Sequence, residues 1–71
     1  MAATITTAIQ WDEIIPGVYQ AELDEGMSAE IITGSRDSWE IYDFEGNVIA
    51  EGYGHRVSDC KINISQALKA L

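Results

Sequence analysis

The chain has 71 residues, of which 12 are Asp or Glu and four are Lys or Arg, for a net charge of −8. That length holds one domain, which buries only about 60% of its unfolded-chain surface and draws roughly 3–5 kcal/mol from its core. One cysteine and one histidine exclude an internal disulfide and a four-ligand zinc site. The strong negative field disfavours direct binding to nucleic acid or acidic membranes and favours basic protein surfaces.

Residues 4–11 alternate, with Ile5, Thr7, Ile9 and Trp11 on one side, and predict a first strand or a frayed terminus over residues 1–10. Pro16-Gly17 suits a turn. Residues 18–23 alternate again, then Asp24-Glu25-Gly26 matches a three-residue hairpin loop with glycine in the left-handed region. That loop pairs Leu23 with Met27, Ala21 with Ala29 and Tyr19 with Ile31, so one apolar face runs through both strands. Glu22, Gln20 and Glu30 fall on the opposite, wet face.

Gly34 to Asp37 reads as a turn, and Ser38–Asp43 as a strand with Trp39 and Ile41 inward and Glu40 and Tyr42 outward. Phe44-Glu45-Gly46 forms the next tight loop and the chain returns over Asn47–Tyr53. The register of this hairpin is ambiguous by one residue: Val48 and Ala50 face the core, or Ile49 does. Glu40 and Glu51 are expected to meet across it. Ser58 is the expected N-cap of a final helix, with Asp59 favourable to the macrodipole. Cys60, Ile64, Ala67, Leu68 and Leu71 then form one helical stripe. The sum is an α+β domain over residues 1–71, an antiparallel meander of four to five strands packed by one C-terminal helix.

Trp39-Glu40-Ile41-Tyr42-Asp43-Phe44-Glu45-Gly46-Asn47-Val48-Ile49-Ala50-Glu51-Gly52, with the helix after it, resembles a strand–turn–strand–helix cassette of small acidic phage and mobile-element proteins. In those proteins a tryptophan opens the hairpin, an acid and a glycine make the turn, and Ala-x-Gly ends it. Trp11 with Pro16-Gly17-Val18-Tyr19 is similar to their entry strand, so the likeness covers residues 11–71. Ile62-Asn63 departs from the acid–alanine pair commoner there. The resemblance implies no catalytic activity. Several such proteins, anti-CRISPR proteins among them, inhibit host defence nucleases, and the resemblance implies that kind of role.

Cys60 at a helix start, with His55 five residues upstream, has the residue types for thiol catalysis, but Cys60 also reads as the first core residue of the helical stripe. Asp43 to Asn47 touches on calcium-loop composition yet lacks the spacing of an EF-hand, and a hairpin turn explains it. No glycine-rich phosphate cradle and no basic patch occurs. The remaining feature is the acids. Eleven acids and one base lie between Asp12 and Glu51, whereas Arg56 to the end carries three bases and Asp59.

The expected partner-binding set is therefore Glu22, Asp24, Glu25, Glu30, Glu40, Tyr42, Asp43, Glu45 and Glu51, with Tyr53 as a second aromatic anchor. The expected partner is a basic, nucleic-acid-handling protein, met by imitation of the phosphate field of DNA. The alternatives are a self-associating accessory module, such as a homodimer that supplements the thin core, and a small Cys60–His55 enzyme. No cofactor, metal or membrane is expected, and the lone thiol and lack of a leader suit the cytosol, the host's if the chain is phage-encoded.

Overall fold

In the computed structural model, residues 9–71 are described. Five strands follow one another as β1 (Trp11–Ile15), β2 (Val18–Glu22), β3 (Ser28–Ile32), β4 (Asp37–Tyr42) and β5 (Val48–Gly54), and the helix α1 (Val57–Ala70) closes the chain. Their order in the single antiparallel sheet is the order of the sequence. Consecutive pairing of this kind needs only short turns, which the chain provides.

The first expected strand, over residues 4–11, falls mostly outside the described residues. Residues 1–8 lie outside the described residues, Ile9 and Gln10 carry no strand, and β1 begins at Trp11. It runs straight into Pro16-Gly17, where proline sets its own φ and Gly17 takes φ +84°. The β2–β3 register is the expected one, with Tyr19 opposite Ile31 and Ala21 opposite Ala29. Leu23 N–H donates to the Met27 carbonyl at 2.8 Å and closes the loop. Glu25 joins Gly26 in the left-handed region, at φ 62° and 79°.

The second hairpin resolves its ambiguity with a bulge. Ile41 pairs with Ala50 and Tyr42 with Val48, so Ile49 is the extra residue. Ala50 consequently faces the core while Val48 faces out. Neither simple register gives this, because period-2 reasoning assumes an unbroken ladder. A second bulge sits in β1, where Glu13 pairs with Tyr19 and Ile15 with Val18, leaving Ile14 unpaired.

The helix starts one residue before the expected cap. Arg56, in extended conformation and without a side-chain bond, is the N-cap, and Ser58 lies inside the first turn. Val57 packs against the core, which draws the first turn of the helix onto the sheet. Asp59 remains in that turn, where its charge suits the helix dipole. Ala29, Ile31, Trp39, Ile41, Cys60 and Ile64 form the buried centre, with Ala67 and Leu68 packed at its rim. Leu71, expected in the stripe, follows the end of the helix and is 62% exposed. All the buried strand residues of that centre lie on one face of the sheet, so the opposite face carries no described element.

Candidate functional site: the open face of the sheet

Strand pairing places acids side by side. Gln20 pairs with Glu30, Glu30 with Glu40, and Glu40 with Glu51, and Asp12 pairs with Gln20 at the other side. These five residues form one row across all five strands, four of them carboxylates, spaced by the strand separation of about 4.8 Å. Like charges directly opposite in a sheet are destabilising. Here three glutamates stand in succession, and the ladder holds them together against that repulsion.

Tyr42 ties part of the row. Its hydroxyl donates to Glu40 Oε1, with Glu30 Oε1 at 3.3 Å from the same oxygen. One hydroxyl proton serves two carboxylates on neighbouring strands. The bond to Glu40, partial burial and the negative charge of both glutamates push the Tyr42 phenol well above its usual range. Tyr42 is therefore a neutral donor at physiological pH, fixed in place under the acidic row.

The turn acids gather at one end. In a meander the β2–β3 and β4–β5 turns lie at the same end of the sheet, and a Cβ on Gly26 stands 3.0 Å from the Cβ of Phe44, so the two turns touch. Asp24 and Glu25 come from one turn, Asp43 and Glu45 from the other. Asp43 Oδ1 accepts the N–H groups of Glu45 and Asn47, both at 2.9 Å. The backbone N–H of Asn47 is the leading reason its carboxyl lies below the ordinary range, with that of Glu45 adding to it. Its role is to shape the turn. Glu22 ends β2 beside this group, on the open face.

Two of the described cations sit over aromatic rings, Arg36 on the open face beside the row. The guanidinium of Arg36 lies 4.2 Å over the Tyr53 ring, and the Lys61 ammonium 5.8 Å from the Trp11 ring. A cleft of about 420 Å³ opens at Ser38, Glu40, Glu51 and Tyr53. Among the described residues, no group of three or more His, Cys, Asp and Glu side chains is arranged to hold a metal ion.

Cys60 departs from the thiol-catalysis expectation. It is completely buried, and a Cβ on Gly54 would approach its Sγ to 3.0 Å. Burial, followed by the charges of Asp37 and Asp59, pushes its thiol up, opposite to the shift a nucleophile needs. The shallow notch nearby is lined by His55 and Asp59 without Cys60.

The structure thus assembles Glu30, Glu40, Glu51 and Tyr42 as a row with its tether, sets Glu22 on the same face, and collects Asp24, Glu25, Asp43 and Glu45 at the adjoining end. Asp12 joins the row although it was not singled out from the sequence. The Trp11-Asp12 alternation carried that signal. Asp37 was read as part of a turn. It is a buried carboxylate at the start of β4 that accepts the Gly34 N–H at 3.4 Å. Among the described residues, no helix is long and apolar enough to cross a membrane. Comparison of the chain with known protein families, curated proteins and solved structures finds no match.

Proposed function

We propose that this chain is a non-enzymatic binding protein whose acidic sheet face and adjoining turns occupy a basic, nucleic-acid-handling surface of another protein. A phage-type inhibitor that imitates DNA, in the manner of anti-CRISPR proteins, is the form of this reading that the sequence resemblance favours. The observation that carries it is the row Glu30–Glu40–Glu51, held in register on a face that no described element covers. A domain with so thin a core gains nothing in stability from stacking three like charges, so the arrangement is best understood as serving a cationic ligand. The turns extend the same field around one end.

Self-association through this face is the weaker reading, because a second copy brings a like-charged row against the first. The deciding experiment is retention of basic nucleic-acid-binding proteins on immobilised chain at low and high salt. Charge reversal at Glu30, Glu40 and Glu51 is expected to abolish retention. Unchanged retention by the reversed variant overturns the proposal.

A further inference from the structure

The acidic row does not stand alone on the open face. Two pairing positions towards the β1–β2 turn, Ile15 meets Val18, Val18 meets Ile32, Ile32 meets Ser38 and Ser38 meets Tyr53. Towards the acidic turns, Tyr42 meets Val48. That second row begins with Glu22 and Ser28, so apolar side chains flank the carboxylates along the first side and at the β5 end of the other. Ile15 is 58% exposed, Ile32 43% and Val48 44%, so these residues are not absorbed by the core. A surface that only imitated a phosphate backbone has no use for them.

We propose that the open face receives a basic amphipathic helix of a partner protein, its lysine or arginine stripe on the glutamate row and its apolar flanks on Ile15, Val18 and Ile32 to one side and on Val48 at the β5 end of the other. This rests on the reading of the face as a binding surface and names what it binds. Charge complementarity is the first argument. A second copy opposes acid with acid, and residues 1–8 of the chain contain no lysine or arginine to answer the row.

Dimensions are the second argument. The three rows span roughly 14 Å along the strands, at about 3.4 Å per residue, close to the 10–12 Å width of a helix with its side chains. The row steps at about 4.8 Å and a helix at about 5.4 Å per turn, so successive turns meet successive strands.

The edges supply the third argument. Both outer strands of the described sheet carry a bulge, at Ile14 in β1 and Ile49 in β5. Bulges blunt an edge against the addition of another strand. An extended peptide is thus turned away from the edges, and the face is left as the place for a partner.

The test uses the full chain, labelled for NMR, and three synthetic probes. The first is an amphipathic peptide of about 15 residues, long enough to form a marginal helix, with lysines in one stripe flanked by leucines. The second has the same composition in scrambled order. The third is an unstructured arginine-rich peptide of equal charge. The first probe is expected to shift resonances of Val18, Ile32, Tyr42 and Val48, to become helical on binding, and to outbind both others at least tenfold.

At about 1 M salt, where screening reaches about 3 Å, the first probe is expected to retain measurable binding and the arginine-rich peptide none. Ile32→Ser with Val18→Ser, both on the exposed face, should remove that salt-resistant part and spare the salt-sensitive part.

Equal binding by the scrambled peptide overturns the helix assignment. Complete loss of the first probe in salt overturns the role of the apolar rows. Both results leave the charge-directed function standing if the arginine-rich peptide still maps to the face. Binding by neither helical nor unstructured probe overturns the inference and the proposed function together. A dimer of the free chain in sedimentation, broken by Ile32→Ser, assigns the face to a second copy instead.

Discussion

Gly52 shows how one missing side chain sets the hairpin. The Trp39 indole, 7% exposed, lies against it, and a Cβ there would come within 2.7 Å of the ring. Gly52→Ala forces either the indole or the β5 backbone to move, and overpacking of this kind costs about 1–3 kcal/mol. Thermal unfolding of the variant should show that loss, with the m-value in urea unchanged. Among the described residues, the Trp39 Nε1 has no hydrogen-bond partner. A buried unpaired donor costs about 1–3 kcal/mol, so large burial by the ring is retained at the expense of its N–H. Tyr42 gives a pH dependence of definite sign. Its folded pKa is raised, so the stabilisation it provides is complete below its ordinary value of about 10 and is lost as pH rises beyond that. Wild-type protein should lose stability above pH 10, and Tyr42→Phe should flatten this limb of the curve. Titration of phenolate absorbance should find Tyr42 ionising well above the usual phenol range, a component that Tyr42→Phe removes.

At the scale of elements, the β3–β4–β5 ladder sets the stability of the sheet against the proposed binding role. Glu30, Glu40 and Glu51 repel across two strand pairs. Replacing the central one, Glu40→Gln, relieves both contacts and keeps a carbonyl oxygen to accept from Tyr42. We expect a gain of a few tenths of a kcal/mol in urea unfolding, within the range of about 0.2–1 kcal/mol for cross-strand pairs, together with weaker binding to basic ligands. A loss of stability instead would show that the bond from Tyr42 outweighs the repulsion. The β4–β5 turn behaves oppositely with pH. Asp43 is held below its ordinary range by backbone N–H groups, so its contribution is present above about pH 4 and is lost as pH falls. Asp43→Asn should remove that acid-side dependence and loosen amide protection at Glu45 and Asn47, measurable by hydrogen exchange.

For the molecule as a whole, charge and fold pull apart. A net charge of −8 on 71 residues opposes compaction, and screening relieves it. The melting temperature of the free chain should therefore rise with ionic strength, while the affinity for a basic partner falls over the same range. A melting temperature that drops with added salt would show that favourable ion pairs, not self-repulsion, dominate the free protein. The helix covers one sheet face only, and the described chain has no further element to cover the other. That asymmetry is why the proposed binding surface lies on one side.

Much of this architecture follows from local pattern alone. Two-residue alternation, Pro16-Gly17, Asp24-Glu25-Gly26 and Phe44-Glu45-Gly46 delimit β2 to β5, and the Cys60–Ile64–Leu68 spacing defines the buried side of α1. The pairing of Ala21 with Ala29 was legible because turn length and alternation together fix a register, whereas Glu40 comes opposite Glu51 only through the bulge at Ile49. The bulges at Ile14 and Ile49 were not, since an extra residue leaves no periodic trace and arises where the sheet must bend over its core. The exposure of Val48 and the inward turn of Ala50 follow from that bend. The start of α1 at Val57 was likewise decided by packing, as apolar burial outweighed the capping preference of Ser58. That Cys60 is completely buried, with Gly54 packed close to its Sγ, was decided by the packing of α1 on the sheet. Sequence determined which residues are acidic and which strands they occupy. Only tertiary structure, through the five-strand pairing, brought residues as distant as Asp12 and Glu51 into one line, because neighbours across a sheet are set by hydrogen-bonded register and not by separation along the chain.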